Sequence, residues 1–246
     1  MAGEGQHQRS HDGDGGAGGG DDPDQERGVL PDLVEVRRLP LAPLFAATGA
    51  ALVIYVTSEI SLALAVVITV AIFLGVFAAG WFRIPLAQRA EAKRRVVVGI
   101  AAGAAGTAAY DAIRVIHVAV VDLRFPSFDI LEAFGTALLG EGRAEWMVMT
   151  AGIGFHVTIG VGLVTAYTLV LRRPNVVNGV VFALVLGTFA VVIIPNWLGT
   201  EEVFLEFLAV SAVGHLVYGA MAGGVAQWLL GRWRPAEGPE VADGAS

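Results

Sequence analysis

Six apolar stretches are the feature that most constrains the fold of this chain. Their approximate bounds are 41–57, 60–81, 96–121, 146–171, 176–194 and 207–230. A helix needs about 20 residues to cross a hydrocarbon core of about 30 Å. Five of the stretches meet this length, and the first is at the short limit. The pattern therefore predicts an all-α fold, a polytopic integral membrane bundle of six transmembrane helices.

The composition indicates the same class of protein. Hydrophobic residues make up 55% of the chain and charged residues only 16%. In soluble domains about 25% of the residues are charged. The chain has no cysteine, which excludes disulfides, cysteine-ligated iron–sulfur clusters and cysteine nucleophiles. No basic patch with interleaved aromatic residues is present, so nucleic acid is not a predicted partner. The predicted partner is the lipid bilayer.

Charged residues alternate in sign between the connections. Basic residues precede the first stretch, separate the second from the third, and follow the fourth and the sixth: Arg37, Arg38, Arg83, Arg89, Lys93, Arg94, Arg95, Arg172, Arg173, Arg232 and Arg234. Acidic residues such as Glu59, Glu141 and Glu202 mark the other connections. Basic residues concentrate in cytoplasmic loops of membrane proteins. The pattern predicts a cell-membrane protein with cytoplasmic N- and C-termini.

The chain divides into a membrane domain and two polar tails. Residues 1–40 are rich in glycine and acidic residues and end in a basic linker, a composition typical of a disordered tail. Residues 41–231 form the predicted six-helix domain, and residues 232–246 a short cytoplasmic tail.

The connection over 122–145 has apolar residues at helical spacing: Phe128, Leu131, Phe134 and Leu138. This spacing favours a helix in the extracytoplasmic interface, and a re-entrant segment is the alternative.

The third stretch contains four residues with ionisable side chains, Tyr110, Asp111, Arg114 and His117. Ionisable groups inside a membrane are costly, and they often mark pathways for ions or substrates. Tyr110, Arg114 and His117 share one arc of the helix, with Asp111 at its edge. A local alternative is an ion pair between Asp111 and Arg114 within the same helix.

Two further stretches each carry one histidine, His156 and His215, with small residues one turn away on either side. At 1.5 Å per residue, both histidines and Asp111 lie about 12 to 15 Å below the outer ends of their helices. We therefore predict one polar layer, and a pathway for an ion or substrate, formed by Tyr110, Asp111, Arg114, His117, His156 and His215.

Glycines on the same helices are predicted to let neighbouring helices approach closely, because small residues are enriched where membrane helices pack. The predicted packing glycines are Gly99, Gly103, Gly106, Gly152, Gly160, Gly219 and Gly223.

Three functions are compatible with these residues. Translocation of a small solute, ion or proton through the polar layer is the leading prediction. The first alternative is a membrane protein that binds haem b through His156 and His215, or a divalent metal through these histidines and Asp111. The second is a structural or assembly subunit. No catalytic motif is present, so no catalytic residue is predicted. Six helices are few for a carrier, so a homo-oligomer is a possible partner arrangement.

Overall fold

The computed structural model describes residues 41–121, 123, 128–198 and 201–232, and the regular elements in these ranges are helices. The predicted N-terminal tail and linker, and residues 233–246 of the C-terminal tail, lie outside the described residues. The helices are α1 (Ala42–Ala46), α2 (Ala50–Thr57), α3 (Leu62–Arg83), α4 (Leu86–Val121), α5 (Asp129–Leu139), α6 (Glu145–Val170), α7 (Val176–Leu198) and α8 (Phe204–Arg232).

Four segments are long and apolar enough to cross a membrane: Leu62–Arg83, Gln88–Val121, Glu145–Val170 and Phe204–Arg232. They lie in α3, α4, α6 and α8. Two shorter apolar helices, Ala47–Thr57 and Val176–Val192, correspond to the first and fifth apolar stretches of the sequence. The chain is therefore a helical protein whose apolar helices suit a membrane.

Two helices differ in detail from the apolar stretches. The first stretch is interrupted by a 3-10 turn at Ala47–Gly49, which separates α1 from α2. In contrast, α4 begins well before residue 96, because the charged segment that precedes the third stretch is also helical. In that segment Glu91 pairs with Arg94 and Arg95 at spacings of three and four residues, an arrangement that stabilises helices.

Helix α4 packs antiparallel against both α6 and α8, and glycines allow the close approach. A Cβ atom at Gly103 would lie 2.7 Å from the Cα atom of Val161 on α6. A Cβ atom at Gly106 would lie 3.1 Å from side-chain atoms of Ala222 and Tyr218 on α8. On the far side of α8, Gly219 faces the backbone of α7. The remaining predicted packing glycines also face a neighbouring element: Gly99 faces Thr165, Gly152 faces Leu131, Gly160 faces Thr107, and Gly223 faces Asn175.

At one end of the bundle, Arg95 of α4 binds the C-terminal end of α6. Its guanidinium donates hydrogen bonds to the carbonyl oxygens of Thr168 and Leu171, both at 2.7 Å, and of Arg172 at 2.9 Å. Arg95 is buried. The last carbonyls of a helix have no partner within the helix, and a cation there also stabilises the helix dipole. Arg95 therefore fixes the axial register of α4 against α6.

Helix α5 runs antiparallel to the N-terminal half of α6. Gly135 of α5 faces the carbonyl of Val148, and Gly152 of α6 faces the carbonyl of Leu131. The turn between the two helices contains Gly140, whose φ of 81° is in the left-handed region that favours glycine. The helix predicted in the 122–145 connection is therefore confirmed as α5, and its interfacial or re-entrant placement stays a prediction. Residues 122 and 124–127 lie outside the described residues.

Gly103→Ala is expected to destabilise the protein by about 1 to 3 kcal/mol, because the added methyl group meets a backbone atom of α6. The matched control is Gly154→Ala on α6, where a Cβ atom would have nothing within 4 Å. Alanine has the higher helix propensity, so the control is expected to be neutral or stabilising by up to about 1 kcal/mol. Thermal unfolding of both variants in one detergent measures the difference. Equal effects of the two substitutions would contradict the close packing of α4 on α6.

Candidate functional site

Tyr110 lies at the centre of a polar cluster formed by α4, α6 and α8. Its ring centroid lies 5.9 Å from that of His156 on α6 and 5.2 Å from that of His215 on α8. The guanidinium carbon of Arg114 lies 5.3 Å from the same ring. Gly214 leaves the space that this ring needs, because a Cβ atom there would lie 2.6 Å from it. We use the term polar cluster for Tyr110, Asp111, Arg114, His156 and His215.

Asp111 connects the charged groups of the polar cluster. Its Oδ1 atom lies 3.1 Å from Nε2 of His156 and 4.0 Å from Nη1 of Arg114. An ionised carboxylate only accepts hydrogen bonds, so His156 donates through Nε2. Arg114 is buried, and a buried cation requires an opposite charge nearby. Asp111 therefore makes the predicted pair with Arg114 within α4 and also a hydrogen bond between α4 and α6.

His215 is oriented by its own helix. Its Nδ1 atom lies 2.7 Å from the carbonyl oxygen of Ser211 and 3.3 Å from the hydroxyl of the same residue. A carbonyl oxygen only accepts, so the proton is on Nδ1. In the neutral ring, Nε2 is then a hydrogen-bond acceptor.

A cavity of about 420 Å³ adjoins the polar cluster. Its polar lining consists of Tyr110, Arg114, His156, His215, Thr107 and Tyr218. The other lining residues are apolar or glycine and include Leu52 of α2, Phe134 of α5 and Phe189 of α7. Ligand sites typically have volumes of about 300 to 1,000 Å³, with apolar walls and a few polar groups. The cavity therefore has the size and lining of a site for a small molecule.

The predicted polar layer is assembled only in part. His117 does not line the cavity, and its Nδ1 atom is buried without a hydrogen-bond partner among the described residues. Asp111 and His156 meet, but within the described ranges no three His, Cys, Asp or Glu side chains are placed to hold a metal ion. The Tyr110 ring lies beside the rings of both His156 and His215.

Two cavity residues were not singled out from the sequence. Tyr218 donates a hydrogen bond of 2.7 Å to the carbonyl oxygen of Gly160, and its ring lies 6.3 Å from that of Tyr110. Tyr218 follows His215 by three residues, a helical spacing that could have identified it. Thr107, the second, faces Gly160. Thr107 precedes Tyr110 by three residues, so the same helical spacing could have identified it.

A family model matches residues 93–236, which is more than half of the chain. The chain belongs to the family of unknown function DUF6789. The matched region contains the whole polar cluster, whereas the cavity wall formed by α2 precedes it. No curated protein and no solved structure matches the chain.

The hydrogen bond between Asp111 and His156 predicts energetic coupling between α4 and α6. In a double-mutant cycle of Asp111→Ala and His156→Ala, we expect a coupling free energy of about 0.5 to 3 kcal/mol, measured by unfolding in detergent. The matched cycle pairs Asp111→Ala with His117→Ala, because no hydrogen bond or ion pair joins His117 to Asp111. That cycle is expected to be additive within about 0.5 kcal/mol. Additive effects in the first cycle would contradict the interhelical hydrogen bond.

Proposed function

We propose that the protein crosses the cell membrane six times, with both termini in the cytoplasm. Helices α3, α4, α6, α7 and α8 each supply one crossing, and α1 and α2 together supply the remaining one. The contacts of Arg95 with Leu171 and Arg172 support this arrangement, because they bring two basic connections to the same end of the bundle. Basic residues at one membrane face are typical of the cytoplasmic side.

The absence of cysteine from the chain allows a direct test of this topology. In intact cells, a membrane-impermeant maleimide is expected to label Glu59→Cys and Glu141→Cys. The matched variants Arg83→Cys and Arg173→Cys are expected to react only after the membrane is permeabilised. Labelling of Arg173→Cys in intact cells would contradict the proposed orientation, and labelling of Glu59→Cys only after permeabilisation would contradict the first crossing.

We further propose that the protein binds a small solute in the cavity and moves it across the membrane. The cavity beside the polar cluster is the observation that carries this proposal. Ionisable residues within a membrane bundle cost free energy, and those that occur there often serve binding or transport. The hydrogen bond between Asp111 and His156 places two ionisable side chains beside the cavity-lining residues.

The test of this function uses protein purified with its native lipids. Mass spectrometry of molecules retained by the wild type is compared with Ala190→Phe, which fills the cavity from α7. The matched control is Ala71→Phe on an exposed position of α3. We expect one small molecule to be retained by the wild type and the control and to be lost at least tenfold from Ala190→Phe. The molecule so identified is then loaded into proteoliposomes, where its efflux is expected to require the wild-type cavity.

Several results would overturn the proposal. Equal retention of every molecule by Ala190→Phe would reject binding in the cavity, and binding without efflux would reject translocation. Elemental analysis of the same samples tests the haem and metal alternatives. Stoichiometric iron or another metal that is lost in both His156→Ala and His215→Ala would place those alternatives first. If Asp111→Asn and both histidine variants retained full efflux, the role of the polar cluster in transport would be rejected.

A further inference from the structure

We propose that the ligand of the cavity is an uncharged, membrane-soluble amphiphile whose hydroxyl group binds between Tyr110 and His215. This inference rests on the proposed binding function and adds the chemical class of the ligand. It depends on three features of the cavity: the hydrogen-bonding atoms that remain available, the pairing of the charges, and the opening of the cavity onto the surface of the bundle.

The available hydrogen-bonding atoms suit a hydroxyl group. His215 uses Nδ1 for the Ser211 carbonyl, so its Nε2 atom can accept a hydrogen bond from a ligand. The Tyr110 hydroxyl has no hydrogen-bond partner among the described residues. Neither this hydroxyl oxygen nor Nε2 of His215 is fully buried. Both residues line the cavity, and their ring centroids are 5.2 Å apart. A ligand hydroxyl can donate to Nε2 and accept from Tyr110 at the same time, whereas an ether or a ketone can only accept.

The charges of the polar cluster favour an uncharged ligand. Arg114 and Asp111 compensate each other, and the carboxylate also accepts the hydrogen bond of His156. A charged ligand would bring an uncompensated charge into a site that is otherwise apolar, at a large desolvation cost. An uncharged hydroxyl adds no such charge.

The cavity opens onto the surface of the bundle between α2 and α7. Val53 of α2 and Phe189 of α7 both line the cavity, and they are also 44% and 63% exposed. The two helices are joined near their ends, where Trp197 donates a 3.3 Å hydrogen bond to the Tyr55 hydroxyl. In the proposed membrane orientation this apolar opening faces lipid. A molecule dissolved in the bilayer can therefore reach the cavity without crossing a polar surface.

The test uses three probes that share one apolar body: 4-hexylphenol, 4-hexylanisole and hexylbenzene. The first donates and accepts hydrogen bonds, the second only accepts, and the third does neither. Affinities are obtained from the rise in Tm of the protein in nanodiscs as the mole fraction of the probe increases. We expect the wild type to bind 4-hexylphenol about tenfold more tightly than hexylbenzene, as expected for one or two net hydrogen bonds. The affinity for 4-hexylanisole is expected to lie closer to that for hexylbenzene.

Variants assign the preference to the two residues. Tyr110→Phe and His215→Phe are each expected to reduce the preference for 4-hexylphenol to about threefold or less. The matched control is Tyr218→Phe, because Tyr218 lines the same cavity but donates its hydroxyl to Gly160. This control is expected to lower the Tm of the protein without probe and to keep the tenfold preference.

The outcomes separate this inference from the proposed function. If the wild type binds all three probes equally, and Ala190→Phe abolishes that binding, the cavity is retained and the hydroxyl inference is overturned. A native ligand that is charged, or retention of a native ligand without binding of any probe, also overturns it. If no probe binds and no native molecule is retained, the proposed binding function fails as well. An unchanged preference in both Tyr110→Phe and His215→Phe would reject the assigned residues.

Discussion

The close approach of α4 to α6 and α8 is the constraint on which the rest of the bundle depends. Within lipid, apolar side chains gain little by meeting each other, so helices associate through tight packing and hydrogen bonds. Gly103 and Gly106 bring α4 close to α6 and to α8, respectively. Arg95 fixes the axial position of α4 against α6 through three carbonyl oxygens. The position of every residue in the polar cluster follows from this packing.

The polar cluster illustrates how packing and chemistry are connected. Its formal charges compensate one another through Asp111, which stabilises a buried arginine and joins two helices. After these interactions are made, uncharged groups of Tyr110 and His215 remain available beside the cavity. A site with this division of roles can bind a polar group without exposing an uncompensated charge to the apolar interior.

The short helices α1, α2 and α5 supply part of the apolar wall of the cavity. The first apolar stretch is broken at a 3-10 turn, where Thr48 donates a hydrogen bond to the carbonyl of Phe45. Gly162 of α6 accommodates the Thr48 side chain. On another side, α5 runs beside α6 and contributes Phe134 to the lining.

The helical class, the approximate positions of the apolar helices and the residue types available for a site can all be predicted from the amino-acid pattern. These follow from local periodicity and from the cost of placing Asp111 or Arg114 in an apolar segment. Which of these residues meet depends on how the helices pack. Packing joins Asp111 to His156, separates His117 from the cavity, and places Arg95 at the end of α6. Helical spacing gives the direction in which a side chain leaves the axis of its own helix. The rotation and the axial register of one helix against another are set by packing, which a local pattern does not encode.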